Sequence, residues 1–193
     1  DIEAFVRNRL VSRIARVTNK HFTTGTGNNQ PKGIVVASAA GKVGASGQTG
    51  SVTYDDLVDL QHSVNRAYRE RGAAFMMADS SVKVVRKLKD GQGRPIFVPG
   101  YEVGAPGGVP DTLLGDRLVI NDDVPAMAAN AKSIVYGDFK PYIIRDVMAF
   151  TLFRMTDSAY AKKGQVGFLM LSRHAGNFTD IGGAVKHYQN AAS

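Results

Sequence analysis

"HFTTGTGNNQPKGIVVA", residues 21–37, joins a helical run to an apolar stretch through a Gly-Thr-Gly turn and a Pro-Lys-Gly exit. A glycine-rich loop with a lysine suggests a phosphate cradle, but the residues present do not make one. A P-loop needs Gly-Lys-Ser/Thr opening a helix, so that backbone amides, an ammonium and a hydroxyl converge on phosphate. Here Lys32 is followed by Gly33 and by "IVVA", which reads as a strand. "GTGNNQ" lacks the third glycine of a dinucleotide fingerprint and follows a helix, where that motif follows a strand. In "AGKV", residues 40–43, Val43 stands where a magnesium-ligating hydroxyl is required. The stretch is therefore read as a turn, with Gly25 and Gly27 supplying backbone angles closed to other residues.

Upstream, Ile2, Phe5, Val6, Leu10, Ile14 and Val17 recur at three- and four-residue spacing, which predicts an amphipathic helix over residues 2–20. At 1.5 Å per residue it is a rod of about 30 Å. Its apolar stripe is too long for the next strand to cover, so it is expected to pack against strands from residues 150–190. Downstream, "SAAGKVGASGQTGS" (38–51) reads as a flexible loop. Thr53 is placed to cap a second helix, with Asp55 and Asp56 at its positive end and Leu57, Leu60, Val64 and Tyr68 on one face. "AAFMMAD" (73–79) reads as a buried strand, and Ser80 or Ser81 caps a short helix through Leu88. Residues 89–115 are dense in Gly and Pro and read as turn and extended loop. Strands are expected at "RLVIND", "SIVYGD", "YIIRDV", "TLFRM", "GQVGFLMLSRH" and "AVKHYQ", the last two joined by a turn at "AGNFTD". A helix, a mixed middle and a strand-rich end describe an α+β protein.

The chain has 193 residues, enough for a hydrophobic core, and its 44% apolar and 21% charged residues exclude wholesale disorder. It has no cysteine, which excludes disulfides and thiolate metal sites. Runs such as "IVVA" and "FLML" are too short to span a bilayer, so no membrane partner is expected. The chain starts at Asp1 inside a helical pattern, and a trimmed piece of something longer is expected. The net charge is +7, with basic residues on the first helix (Arg7, Arg9, Arg13, Arg16, Lys20) and in "VKVVRKLK" (Lys83, Arg86, Lys87, Lys89). Nucleic acid could take such a surface by counterion release. Without aromatic interleaving or a nucleic-acid motif, a solvated face or a surface toward an acidic partner is the preferred reading.

No catalytic, cofactor-binding or metal site is assigned. His21, His62, His174 and His187 have no partner at metal-ligand spacing. No serine sits in a Gly-x-Ser-x-Gly elbow. Asp122 and Asp123 are adjacent, and on a strand adjacent side chains point to opposite faces. For Asp55 and Asp56, helix capping is a sufficient role. Neither enzyme activity nor a cofactor is expected.

The order of segments resembles the tailed-phage major capsid proteins of the Hong Kong 97 type. The long helix ending in Phe22, Gly25, Gly27, Pro31, Gly33 and Ile34 is similar to that family's spine helix and following turn. Leu88, Lys89, Asp90, Gly93, Arg94 and Phe97 resemble its Leu-Lys-Asp, Gly-Arg and aromatic run. Gly115, Val119 and Pro125 resemble a strand ending before a proline, and Gly137, Asp138, Phe139, Tyr142, Ile144 and Asp146 its Gly-Asp-Phe turn and next strand. The four segments span residues 1 to about 175, the C-terminal part of such a protein.

The resemblance implies a spine helix in a peripheral domain (1–32), an axial domain (33–147) and returning strands of the peripheral domain (148–193). It implies a phage or prophage capsid subunit that assembles as pentamers and hexamers into an icosahedral shell around double-stranded DNA. The implied partners are copies of itself, a scaffolding segment or protein, a portal, a maturation protease and non-specifically held DNA. Such a protein is made in the host cytoplasm and resides in the virion. The absent N-terminal arm and extended loop imply that this stretch alone stays monomeric or forms single capsomers. "SAYAKKGQVGFLMLS" contains neither the asparagine nor the glutamate of the family's isopeptide cross-link, so a non-covalent shell is implied. An encapsulin-like bacterial shell is the alternative within the fold. From another class the alternative is a nucleic-acid-binding or hydrolytic enzyme.

Overall fold

The computed structural model describes residues 2–94, 96, 112–180 and 183–193. Most of the 89–115 loop, Phe97 included, lies outside the described residues. The fold is α+β, as the element order implied. Helix α1 runs Ile2–Thr24. It passes the expected end by four residues, with Thr23 and Thr24 Oγ1 donating to the carbonyls of Asn19 and Lys20, at 2.8 and 3.1 Å. Gly25 N–H then closes on His21 O at 2.9 Å.

The next two expectations fail. "IVVA" is a single helical turn, α2 (Ile34–Ala37), closed by Ser38 N–H to Ile34 O at 3.0 Å. The supposed flexible loop contains strand β1 (Ala39–Val43). Gly41 makes β1 work, because a Cβ there would lie 2.6 Å from Ser63 Oγ on the helix packed against it. That helix is α3 (Tyr54–Ser63), opened by the expected Thr53 cap, and the cap is a capping box in which Thr53 and Asp56 bond reciprocally. A short turn α4 (Arg66–Arg69) leads to β2 (Ala74–Met77) and α5 (Asp79–Arg86). Neither Ser80 nor Ser81 caps α5. Its N-cap is Ala78, and Asp122 Oδ1 takes the Asp79 N–H at 3.1 Å from across the fold.

Strands β3 (Thr112–Leu113), β4 (Asp116–Ile120) and β5 (Lys132–Gly137) follow. Residues 142–147 and 151–155 are one strand, β6 (Tyr142–Met155), rather than two. After the turn α6 (Ser158–Ala161), β7 (Gly167–Phe178) returns antiparallel to it, from Met155↔Gly167 to Tyr142↔Phe178. Residues 175–178, expected as a turn, complete β7. The pair forms a ribbon of about 45 Å at 3.3 Å per residue.

Strand β8 (Val185–Gln189) leaves the ribbon and enters the main sheet, whose order is β1-β8-β5-β2-β4-β3. It pairs parallel with β1 and antiparallel with β5. Residues 185–189, expected among the returning strands of 148–193, thereby complete the sheet built from the middle of the chain. On one sheet face α3 and α5 bury Leu57, Leu60, Val64, Val82 and Val85 against Phe75, Met77, Ile134, Tyr136 and Tyr188. On the other, Val35 of α2 and Val124 meet Val135, Ala184 and Val185. A strand would point Ile34 and Val35 to opposite faces, whereas one helical turn brings both onto this cluster.

Candidate assembly surfaces

The turn at residues 25–33 is a structural hinge plate between α1, the sheet and the ribbon. Gly27 has φ +84° and Asn29 φ 54°, so Gly27 does supply a left-handed angle. Gly25 does not. It is required because a Cβ would collide with the carbonyl oxygens of Pro31 and His21. A Cβ on Gly33 would lie 2.5 Å from Gly25 N and 2.6 Å from Thr23 C, so these two glycines allow backbone to stack on backbone. Gly33 N–H donates to Gly25 O at 2.8 Å. Lys32 is held by its backbone: its N–H donates to Gly176 O at 2.8 Å and its carbonyl accepts from Tyr142 Oη at 2.9 Å. Burial pushes the Tyr142 phenol up to about 12, so it stays a donor at neutral pH.

The same plate anchors the C-terminal end of α1. Phe22 packs edge-on against Tyr142, with centroids 6.2 Å apart, and against His174 at 5.9 Å. Thr18 Oγ1 meets His174 Nε2 at 3.1 Å. Asn19 Nδ2 reaches Asn121 and Asp123, and Asn121 Nδ2 donates to Thr23 Oγ1 at 2.9 Å. The expectation that α1 lies along the strands of 150–190 is corrected. Only its last two turns touch β7, while Ile2 is 80% and Phe5 60% exposed, and Leu10 and Ile14 are half-buried. The periodicity was real, but within one subunit most of the stripe has no cover.

The remaining candidate residues take structural roles. Asp122 and Asp123 lie in the turn after β4 rather than on a strand, and they take different partners: Asp122 caps α5 and Asp123 holds Asn19. Asp56 is buried in its capping box, and Asp55 is exposed. His187 is buried with Nδ1 2.9 Å from Ser38 Oγ. Desolvation, helped by Lys132, lowers its pKa to about 4. His62 is exposed on α3, and His21 is half-buried at the end of α1. Among the described residues no group of three His, Asp or Glu could hold a metal ion. Asp116 is a residue that sequence reasoning missed, accepting from Tyr136 Oη at 2.6 Å and Gln61 Nε2 at 2.7 Å. Nothing local marks it, since its partners come from α3 and β5.

The exposed surface is unusual for a monomer. Both faces of the ribbon carry large apolar side chains in the open: Ile143, Ile144, Val147, Phe150, Phe153 and Leu171. Between α1 and the ribbon lies an open groove of about 410 Å³ lined by Ile14, Val17, His21, Pro31 and Arg173. Contiguous exposed apolar surface of this kind marks contact with other chains. A rigid sheet core, a projecting rod and a projecting ribbon define a structural subunit whose neighbours complete it.

The chain belongs to the phage capsid family, whose profile matches residues 1–189. It is a capsid structural subunit rather than an enzyme, and the location of such a subunit is the virion. It is similar to a capsid chain of an empty GTA particle: 30% identity and TM-score 0.84 over 100% of this chain and 67% of that one. The chain thus spans about two thirds of that relative. A chain of Gordonia phage Cozz is 14% identical, with TM-score 0.69 over 100% of this chain and 64% of that one. A chain of the holo-SrpI encapsulin complex from Synechococcus elongatus is 15% identical, with TM-score 0.60 over 98% and 65%. At those identities the last two share the fold alone. Among curated proteins the chain has no significant match. The GTA chain comes from the capsid of an empty particle.

Proposed function

We propose that this chain forms the wall of a phage or prophage-derived particle, assembling as pentamers and hexamers into an icosahedral shell around double-stranded DNA. The observation that carries the reading is the likeness, over its whole length, to a GTA capsid chain at 30% identity and TM-score 0.84. The exposed faces of α1 and the ribbon support it, because each needs a neighbour. In this reading residues 1–32 and 148–178 form the peripheral domain, and 33–147 with β8 form the axial domain around the capsomer axis. The contacts are non-covalent, and a scaffolding segment or protein, a portal and a maturation protease act on the shell during assembly.

Electron microscopy of particles from the full-length protein, with analysis of their contents, tests this. Closed shells containing nucleic acid support the reading. Shells filled with a cargo protein would make it an encapsulin-like container, and absence of any particle would remove the capsid role.

A further inference from the structure

We propose that Arg9, Arg13, Arg16 and Lys20 form the surface with which this subunit holds the sugar-phosphate backbone of duplex DNA. The proposal rests on the reading of the chain as the wall of a DNA-filled particle and adds which face of the subunit touches the DNA. The four residues follow one another at spacings of four, three and four along α1. With 3.6 residues per turn they fall within about 60° of arc, a single stripe about 16 Å long. All four are exposed. They lie on the opposite side of the helix from Thr18 and Phe22, the residues that pin α1 to the ribbon. The stripe is therefore a fixed outward surface on an anchored rod.

These cations lack the neighbours that a solvated helix face normally supplies. Such faces interleave Glu with Lys or Arg at i, i+4. Here Glu3 is the only acid in α1, and none of the four cations is in an ion pair among the described residues. Arg9 stacks on the Phe5 ring, 5.3 Å from its centroid, which leaves its N–H groups directed to solvent. A second copy is a poor occupant, because pairing the stripe with itself or with a chain of net charge +7 opposes like charges. A polyanion fits. Duplex DNA presents one phosphate per about 3.4 Å of each strand, so a 16 Å stripe spans about five. Arginine forks bind phosphate oxygens bidentately, and contacts to the backbone carry no sequence information.

The test is binding of the purified chain to a fluorescent 20-base-pair duplex, followed from 50 to 200 mM NaCl. The chain is compared with R9A/R13A/R16A and with K83A/K87A/K89A, which has the same net charge but leaves α1 intact. Each phosphate contact contributes about 0.9 to the slope of log K against log salt. R9A/R13A/R16A should lower the slope by about 2.7, so its affinity falls about 40-fold less than that of the unaltered chain across this range. K83A/K87A/K89A should change the slope by less than 1.

Equal losses from both variants would mean net charge alone and overturn the proposal. So would an unchanged slope in R9A/R13A/R16A, or displacement of DNA by poly-glutamate below equimolar charge, which would make the partner an acidic protein segment. Circular dichroism confirms that the variants are folded. Particles of the full-length protein are assayed separately. If they contain no nucleic acid, the capsid reading fails while the duplex measurement still decides the surface.

Discussion

Phe22→Ala should loosen the spine helix from the ribbon while leaving the six-stranded sheet intact. The ring is half-buried between Tyr142 and His174. Truncating a fully buried phenylalanine costs about 3 to 5 kcal/mol, and half that burial scales to about 2 kcal/mol. Phe22 can approach so closely because Gly176 has no side chain: a Cβ there would lie 3.0 Å from Phe22 Cδ1 and collide with Tyr142 Oη. Gly176→Ala should displace the same ring. The two substitutions act on one contact, so the double variant should cost less than their sum by at least 0.5 kcal/mol. Native-state hydrogen exchange is the assay. A loss of about 2 kcal/mol should raise exchange of the α1 amides about 30-fold. Amides of β2 and β5, at the centre of the sheet, should hold their protection at low denaturant. Uniform acceleration across the sheet, or strict additivity of the two substitutions, would refute the anchoring argument.

Three further outcomes are expected. His187 is buried and neutral, with its pKa lowered to about 4 from an ordinary value of 6.5, so between those values the unfolded chain binds more protons than the folded one. Stability to urea should therefore be fully present above about pH 6.5 and fall as pH drops toward 4, and His187→Gln should flatten that slope; an unchanged slope would assign it to other groups. Thr53→Ala removes one half of the capping box on α3 and should lower stability by about 1 kcal/mol in thermal or urea denaturation, no loss meaning that the cap is idle. Leu10→Ala, at a half-buried position, should cost about 1 kcal/mol in the isolated subunit, well below the 2 to 5 kcal/mol of a core leucine. A core-sized loss in the dispersed chain would show that α1 is covered within one subunit.

Helix α1, the Thr53 cap of α3 and strands β2, β4 and β5 were legible because their signals are local: apolar periodicity, a threonine followed by two aspartates ahead of an apolar face, short runs of β-branched and aromatic residues. The glycine turn was legible as a turn for the same reason, since its neighbours exclude a phosphate site by identity alone. The family resemblance lay in these segments and their order. Tertiary structure decided what local propensity could not. "IVVA" has the composition of a strand, but Val35 and Ile34 gain more by turning onto Val124, Val135 and Val185 than four residues gain from an edge pairing. "AAGKV" has the composition of a loop and becomes a strand because β8, paired to it through Ala39↔Lys186 and Ala40↔His187, offers an open edge and Gly41 lets α3 close over it. The need for Gly25 and Gly33 came from backbone crossing backbone rather than from dihedral angle, and Asp122 caps a helix 43 residues away. Each of these depends on which distant groups arrive together, a matter of burial and packing that no window of sequence contains.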